Sequence, residues 1–197
     1  MPFLKTVVRT AGTALGAVAL LAVPAHAADC TPAGQLSQPF APFGDLGLYT
    51  PVENAGLESG SEGWTLRGDA AVTDGNEPWI ISGNADDDHA LDLPAGSSAT
   101  TARICIDETY NHLRLFARNA GRVGGELRIE VLAFDAKGRP DGSKPFDYEG
   151  GGEWAPTGAV PIDVLDERSP APVAFRFTAK GAEYLIDDVY VDPWARS

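Results

Sequence analysis

Short runs in which apolar and polar residues alternate dominate this chain, and Gly, Pro, Asn and Asp separate them. A period of two marks a half-buried strand, because successive side chains leave opposite faces of the backbone. In 113–118 the pattern sends Leu113, Leu115 and Ala117 one way and Arg114, Phe116 and Arg118 the other. In 126–133 it turns Leu127, Ile129, Val131 and Ala133 inward and Arg128 and Glu130 outward. In 173–177 Val173, Phe175 and Phe177 point in and Arg176 points out. Further strands are predicted over 46–52, 64–66, 70–73, 79–82, 90–93, 98–106, 112–119, 126–134, 159–164, 172–179 and 184–191. So many short strands, punctuated by turn formers, predict an all-β, antiparallel β-sandwich. On this pattern Arg114, Arg118, Arg128 and Arg176 share the outer face of one sheet. They fit either a carboxylated or sulfated glycan or a ladder of cross-strand pairs with Glu126 and Glu130, and the ladder is the simpler reading.

Composition narrows the class. With 197 residues, 22 Gly and 15 Pro, the chain has the length of one domain and little room for long helices. A net charge of −13 argues against nucleic acid and against anionic membrane surfaces as partners. Residues 1–27 run from a basic start with Lys5 and Arg9 through an apolar stretch to Ala25-His26-Ala27. That order is a cleavable secretory signal, too short and wrongly flanked for a membrane-spanning helix. Lipidation at Cys30 is disfavoured, because Asp29 stands where a small residue is needed. Residues 28–43, with Pro32, Pro39 and Pro42, are expected to run extended over the surface, and 44–197 to form the sandwich. The Gly- and Pro-rich stretch 135–154 reads as a long hairpin or loop inside that domain, since too few residues follow it for another. Cys30 and Cys105 are the only cysteines, and an even count in an exported protein predicts a disulfide between them.

Two segments carry a resemblance. Val52-Glu53-Asn54-Ala55-Gly56-Leu57-Glu58-Ser59-Gly60-Ser61-Glu62-Gly63-Trp64 resembles the N-G-G-F-E-x-G … G-W opening of carbohydrate-binding jelly-roll modules of the galactose-binding-like kind. Ala55 and Leu57 depart from it, standing where a glycine and an aromatic are usual. Tyr184-Leu185-Ile186-Asp187-Asp188-Val189-Tyr190-Val191 resembles the closing I-D-D-V-x-V strand. The ending Asp187 to Pro193 is also similar to that of secreted bacterial proteins that pair a cysteine near the mature N-terminus with one such domain. The resemblance implies a jelly-roll sandwich whose first and last strands lie close together. It further implies a calcium ion held by Glu58 and by Asp187 or Asp188, calcium being a cation that takes six to eight hard oxygen ligands.

A sugar-binding surface needs aromatic rings to stack on pyranose faces beside planar polar groups that bond to hydroxyls. Trp79, Trp154, Tyr148 and Phe146 lie in loop or strand-edge settings, with Asn76, Glu77, Asn84, Arg114 and Arg118 as polar partners. Trp64, Tyr184 and Tyr190 fit core positions better. Asp86-Asp87-Asp88-His89 reads as a charged turn rather than a metal site, since contiguous acids alternate direction along an extended chain. No G-x-S-x-G, H-E-x-x-H, P-loop or C-x-x-C motif is present, so no common catalytic site is indicated. The resulting expectation is a secreted, non-catalytic module that binds extracellular carbohydrate. The alternative is a structural or protein-interaction module of the bacterial cell envelope. Nothing in the sequence sets an oligomeric state.

Overall fold

The computed structural model describes residues 30–121, 123–163 and 170–193, and the expected signal segment lies outside them. In chain order these residues form β1 (Thr31–Pro32), a 3-10 helix (Ala41–Phe43), β2 (Thr50–Pro51), β3 (Trp64–Arg67), β4 (Ala71–Asp74) and β5 (His89–Leu93). They continue with β6 (Ser98–Thr101), β7 (Ile104–Ile106), β8 (Tyr110–Asn119), β9 (Glu126–Phe134) and β10 (Pro140–Tyr148). The remaining strands are β11 (Ala155–Pro156), β12 (Val160–Pro161), β13 (Ala171–Lys180) and β14 (Tyr184–Pro193). The predicted all-β fold is therefore present.

The strands make two sheets of seven. In the first, β10 pairs with β9 and β9 with β13, whose far side takes β6 and β7, and these pair in turn with β3 and β1. In the second, β14 is central, with β8 on one side and β2 and β5 on the other. β11 and β12 extend the β8 edge, and β4 extends the β5 edge. Consecutive long strands repeatedly change sheet, as from β5 to β6, β8 to β9 and β13 to β14. The inward residues read from the alternation, Leu113, Leu115, Leu127, Ile129, Val131, Val173, Phe175 and Phe177, all lie in one buried core between the sheets. Trp64 and Tyr184 belong to it as well.

Several expectations are corrected. The sandwich is not wholly antiparallel, because β1 runs parallel to β7, to which the Cys30–Cys105 disulfide ties it. Segment 79–82 is a turn and not a strand: its main chain bends sharply, with Ile80 at a φ of 51°. Among the described residues, 46–52 contributes only Thr50–Pro51 to a sheet, with Tyr49 in an isolated bridge to Ser37, and 159–164 contributes only Val160–Pro161. The stretch 135–154 does form the expected hairpin, its returning strand being the nine-residue β10, which accommodates Pro140 and Pro145 because it is an edge strand bonded, among the described residues, to β9 alone. Of the stretch 28–43, the described residues 30–43 do not simply run over the surface. Phe40 is fully buried, and the 3-10 turn after it closes on Gly44, which takes the left-handed φ of 81° that glycine permits. The four arginines do not share a face either, because β8 belongs to the second sheet and β9 and β13 to the first.

The last strand carries the feature that matters most. Its inward residues are Tyr184 and Ile186, then Val189 and Val191, so the alternation slips by one at Asp187-Asp188. The pairing with β8 slips there too, because Asp187 faces Phe116 and Tyr190 faces Arg114. The extra residue makes a β-bulge, with Asp188 at a φ of 52°. Both aspartates are thereby buried.

Candidate functional site

The bulge sits beneath two loops, 53–58 and 76–88. Val52 N–H donates to Val189 O at 3.0 Å and Val189 N–H to Ala55 O at 3.4 Å, so the opening segment is bonded to the closing one. The second loop brings Glu77 and Asp87 to the same place, both of them buried. Carboxylate oxygens of Glu77, Asp87 and Asp188 all lie within 4.8 Å of one another. Asp187 accepts from the Asp188 N–H at 2.8 Å. Beyond that bond, Asp187 Oδ2, both oxygens of Asp188 and Asp87 Oδ1 are buried with no hydrogen-bond partner. Burial, and then the neighbouring Asp188 and Asp87 charges, push the Asp187 carboxyl up to about 10. Burial, then Asp87 and Glu77, push Asp188 up to about 8. Buried acids with bare oxygens aimed at one another are costly unless a positive charge joins them. The donor set is all hard oxygen, which suits calcium and not a soft metal. Gly56 lines the centre, since a Cβ there would stand 3.1 Å from Asp87 Oδ1 and 3.6 Å from Asp188 Oδ1.

Of the residues expected to hold calcium, Asp188 is a member of this triad and Asp187 abuts it. Glu58 lies beside it, within range to raise the Asp188 carboxyl, but its own oxygens are engaged. Its Oε1 accepts from the main-chain N–H of Asp88 at 3.1 Å and His89 at 2.9 Å, and its Oε2 is 3.0 Å from His89 Nδ1. Sequence reading missed Glu77, taken for a sugar partner, and Asp87, taken for part of a charged turn. The sequence signal for Asp87 was its place in an acidic run directly before a strand; for Glu77 there was none, since only the tertiary fold brings its loop over β14.

Beside the acidic centre, the outer face of the second sheet carries an aromatic patch. Phe40, Tyr49, Phe116 and Tyr190 are buried together, with Phe43, Ile81 and Trp154 packed against them. Trp79 remains 43% exposed. Its ring meets Phe43 edge-on at 4.9 Å between centroids and Phe116 at 5.4 Å. The Arg118 guanidinium stands 5.7 Å over the Trp154 ring, and its Nε is buried without a hydrogen-bond partner. Trp79, Trp154 and Arg118 thus come together around one cluster. Arg114 is spent within the fold: it lies 4.4 Å over the Phe40 ring, donates from Nε to Thr157 O at 2.9 Å, and pairs through Nη1 with Asp45 Oδ2 at 2.5 Å. Burial alone would raise Asp45, but hydrogen bonds from Tyr49, the Gly47 N–H and Arg114 outweigh it and hold the carboxyl below its ordinary value. Tyr148 lies elsewhere, packed against the main core, because its register opposite Leu127 turns it inward. On the other sheet Arg128 pairs with Asp147, Arg176 with Glu130 and Lys180 with Glu126, which is the solvated ladder.

Loop 76–88 joins the two features. The Glu77 carboxylate accepts from the main-chain N–H groups of Trp79 and Ile81, the latter at 2.9 Å. Ser82 Oγ donates to Asp87 Oδ2 at 2.5 Å, and Asn76 Nδ2 to Asp87 O at 2.9 Å. Asn84 Oδ1 accepts from Asp86 N–H at 3.2 Å, so Asn76 and Asn84 shape the loop.

No protein-family model matches the chain, and no curated protein matches it. Solved structures do share its architecture. The enzymatically active domain of tailspike protein 4 of bacteriophage CBA120 is 16% identical, with a TM-score of 0.51 over 72% of this chain and 21% of that one. The fold is a jelly-roll β-sandwich. The CBM22-1 xylan-binding domain of Paenibacillus barcinonensis Xyn10C is 14% identical, with a TM-score of 0.48 over 73% of this chain and 93% of that one. TmCBM61, solved with β-1,4-galactotriose, is 15% identical, with a TM-score of 0.45 over 72% of this chain and 97% of that one. Carbohydrate-binding modules, the family that the opening and closing motifs resemble, are thus among the similar structures. This chain spans about a fifth of the tailspike domain, and the likeness is one of fold.

Proposed function

We propose that the protein is an exported, non-catalytic module that binds carbohydrate on the outer face of its second sheet and carries a calcium ion beside that face. The observation that carries this reading is the convergence of the 43% exposed Trp79, the half-buried Trp154 and the Arg118 guanidinium over the Trp154 ring around one aromatic cluster. An exposed indole face such as that of Trp79 takes up the apolar C–H faces of sugar rings, and a guanidinium donates in plane to hydroxyls or a carboxylate. The Phe40–Tyr49–Phe116–Tyr190 cluster beneath fixes the platform, so little ordering entropy is lost on binding. Export is supported by the signal-like segment 1–27 and by the disulfide. A non-catalytic role is supported by the burial of Asp187, Asp188 and Glu77, which keeps this set of acids away from any substrate on the surface.

Glu77, Asp87 and Asp188 would hold the ion, with Asp187 behind them. It would supply the positive charge that lets these acids stay ionised in the interior. The test is titration calorimetry in calcium against soluble polysaccharides, beginning with xylan and β-1,4-galactan. Binding by the wild type, weakened about 30-fold in Trp79→Ala and in Trp154→Ala, is the expected result. Absence of binding to every glycan, or equal binding by both variants, rejects the reading.

A further inference from the structure

We propose that Glu77 is a positioning residue that makes presentation of Trp79 depend on the cation. The inference rests on the glycan- and calcium-binding reading above. Glu77 has two duties at once: an oxygen of its carboxylate faces Asp87 and Asp188, and the same group accepts the N–H of Trp79 and of Ile81. Asp87 acts alike, facing the triad while accepting from Ser82 Oγ. The side-chain anchors of Trp79, Ile81 and Ser82 therefore end on carboxylates of the acidic centre, while Asn76 and Asn84 hold the far part of the loop. The tip of the turn lies in the open. Trp79 and Ile80 are both exposed, Ile80 has a positive φ, and no strand forms between β4 and β5. Asp188 is 1% exposed, and neither of its oxygens has a hydrogen-bond partner, so it leaves a bare, buried acceptor aimed at Glu77 and Asp87.

With the ion bound, attraction to a common centre keeps Glu77 and Asp87 in place and the turn with them. Without it, Glu77, Asp87 and Asp188 lose the common centre that draws them together, and Glu77, carried on the exposed turn, is released together with the two amides it holds. The Trp79 ring then loses its fixed seat against Phe43 and Phe116. Linkage makes the effect reciprocal: whatever factor calcium contributes to glycan affinity, glycan contributes to calcium affinity.

The experiment uses the protein labelled with 5-fluorotryptophan, with the Trp79 resonance assigned through Trp79→Phe. Fluorine spectra and glycan titrations are recorded in calcium chloride and in EDTA for the wild type, Asp188→Asn and Glu77→Ala. In the wild type the Trp79 line is expected to be sharp in calcium and broad in EDTA, with glycan binding about tenfold weaker in EDTA. Asp188→Asn, which leaves the Trp79 and Ile81 amides untouched, is expected to resemble the EDTA state in either medium. Glu77→Ala is expected to keep the line broad at any calcium concentration without lowering the unfolding midpoint in EDTA, where a merely structural Glu77 would lower it. A Trp79 line identical in calcium and EDTA overturns the proposal, whether calcium binds or not. A calcium-dependent line in a protein that binds no glycan supports the Glu77 tether and removes the sugar reading alone.

Discussion

Asp187 and Asp188 show how much one pair of residues can do once the chain folds around it. The closing motif singled them out in the sequence, but their chemistry depends on Glu77 and Asp87, which arrive from a loop about 100 residues earlier and could not be placed by spacing. Arg114 and Tyr148 were misplaced for a related reason. Their residue types suit sugar binding, yet Asp45 and Phe40 claim the first and the core claims the second. The raised carboxyls set a pH dependence. In the cation-free protein Asp187 and Asp188 hold protons up to about 10 and about 8, whereas the unfolded chain releases them near the ordinary carboxyl value. The unfolded state therefore binds fewer protons over this range, and stability falls as pH rises from about 4 through about 8, by up to ~1.4 kcal/mol per pH unit for each group. Urea unfolding in EDTA across that range is expected to show the decline, and Asp188→Asn to flatten it. In calcium the trend is expected to reverse, because the ion displaces protons. A cation-free protein whose stability rises with pH contradicts the burial of these acids.

Among the elements, the long strands were legible because their inward positions are unbroken apolar series, as in β9 and β13. What was not legible is the path of 30–50, whose polar, Pro-rich composition hides one decisive residue. Phe40 is sealed among Tyr49, Phe116 and Tyr190 on the far side of the second sheet from the main core. Its ring stacks on Phe116 at 5.7 Å and carries the Arg114 guanidinium on its face. Phe40→Ala is expected to cost about 3–5 kcal/mol, read as a lowered urea midpoint. Phe43 and Trp79 lean on this cluster, so the same change is expected to weaken glycan binding as well. An unchanged midpoint would mean that the segment does not seat there. The bulge in β14 was not read from the sequence, and it shows only once Ile186 and Val189 are both found inward, which requires a slip in phase. Its direction needed the pairing with β8.

At the level of the whole molecule, the segment 30–51 is a strap. It begins as β1 on the edge of the first sheet, tied by the disulfide, crosses to place Phe40 outside the second, and ends as β2 beside β14. The disulfide closes a separation of 75 residues, with Cα atoms 5.3 Å apart. By loop entropy its loss is expected to cost about 3–5 kcal/mol, seen as a lower unfolding midpoint in reductant and in the Cys30→Ser, Cys105→Ser double variant. Equal midpoints would mean that the tether restrains nothing in the unfolded chain.

The strap also imposes an order of events. Phe40 rests on Tyr190, and Thr50 and Pro51 pair with Val191 and Tyr190, so the seat of the first described residues is built from the last strand. A chain released from its N-terminus onward keeps Phe40 waiting, exposed, until β14 has arrived and slipped into its bulge. The aromatic face of the second sheet closes only once β14 has paired, and a chain stalled before residue 184 has an unfinished second sheet and a patch without Tyr190.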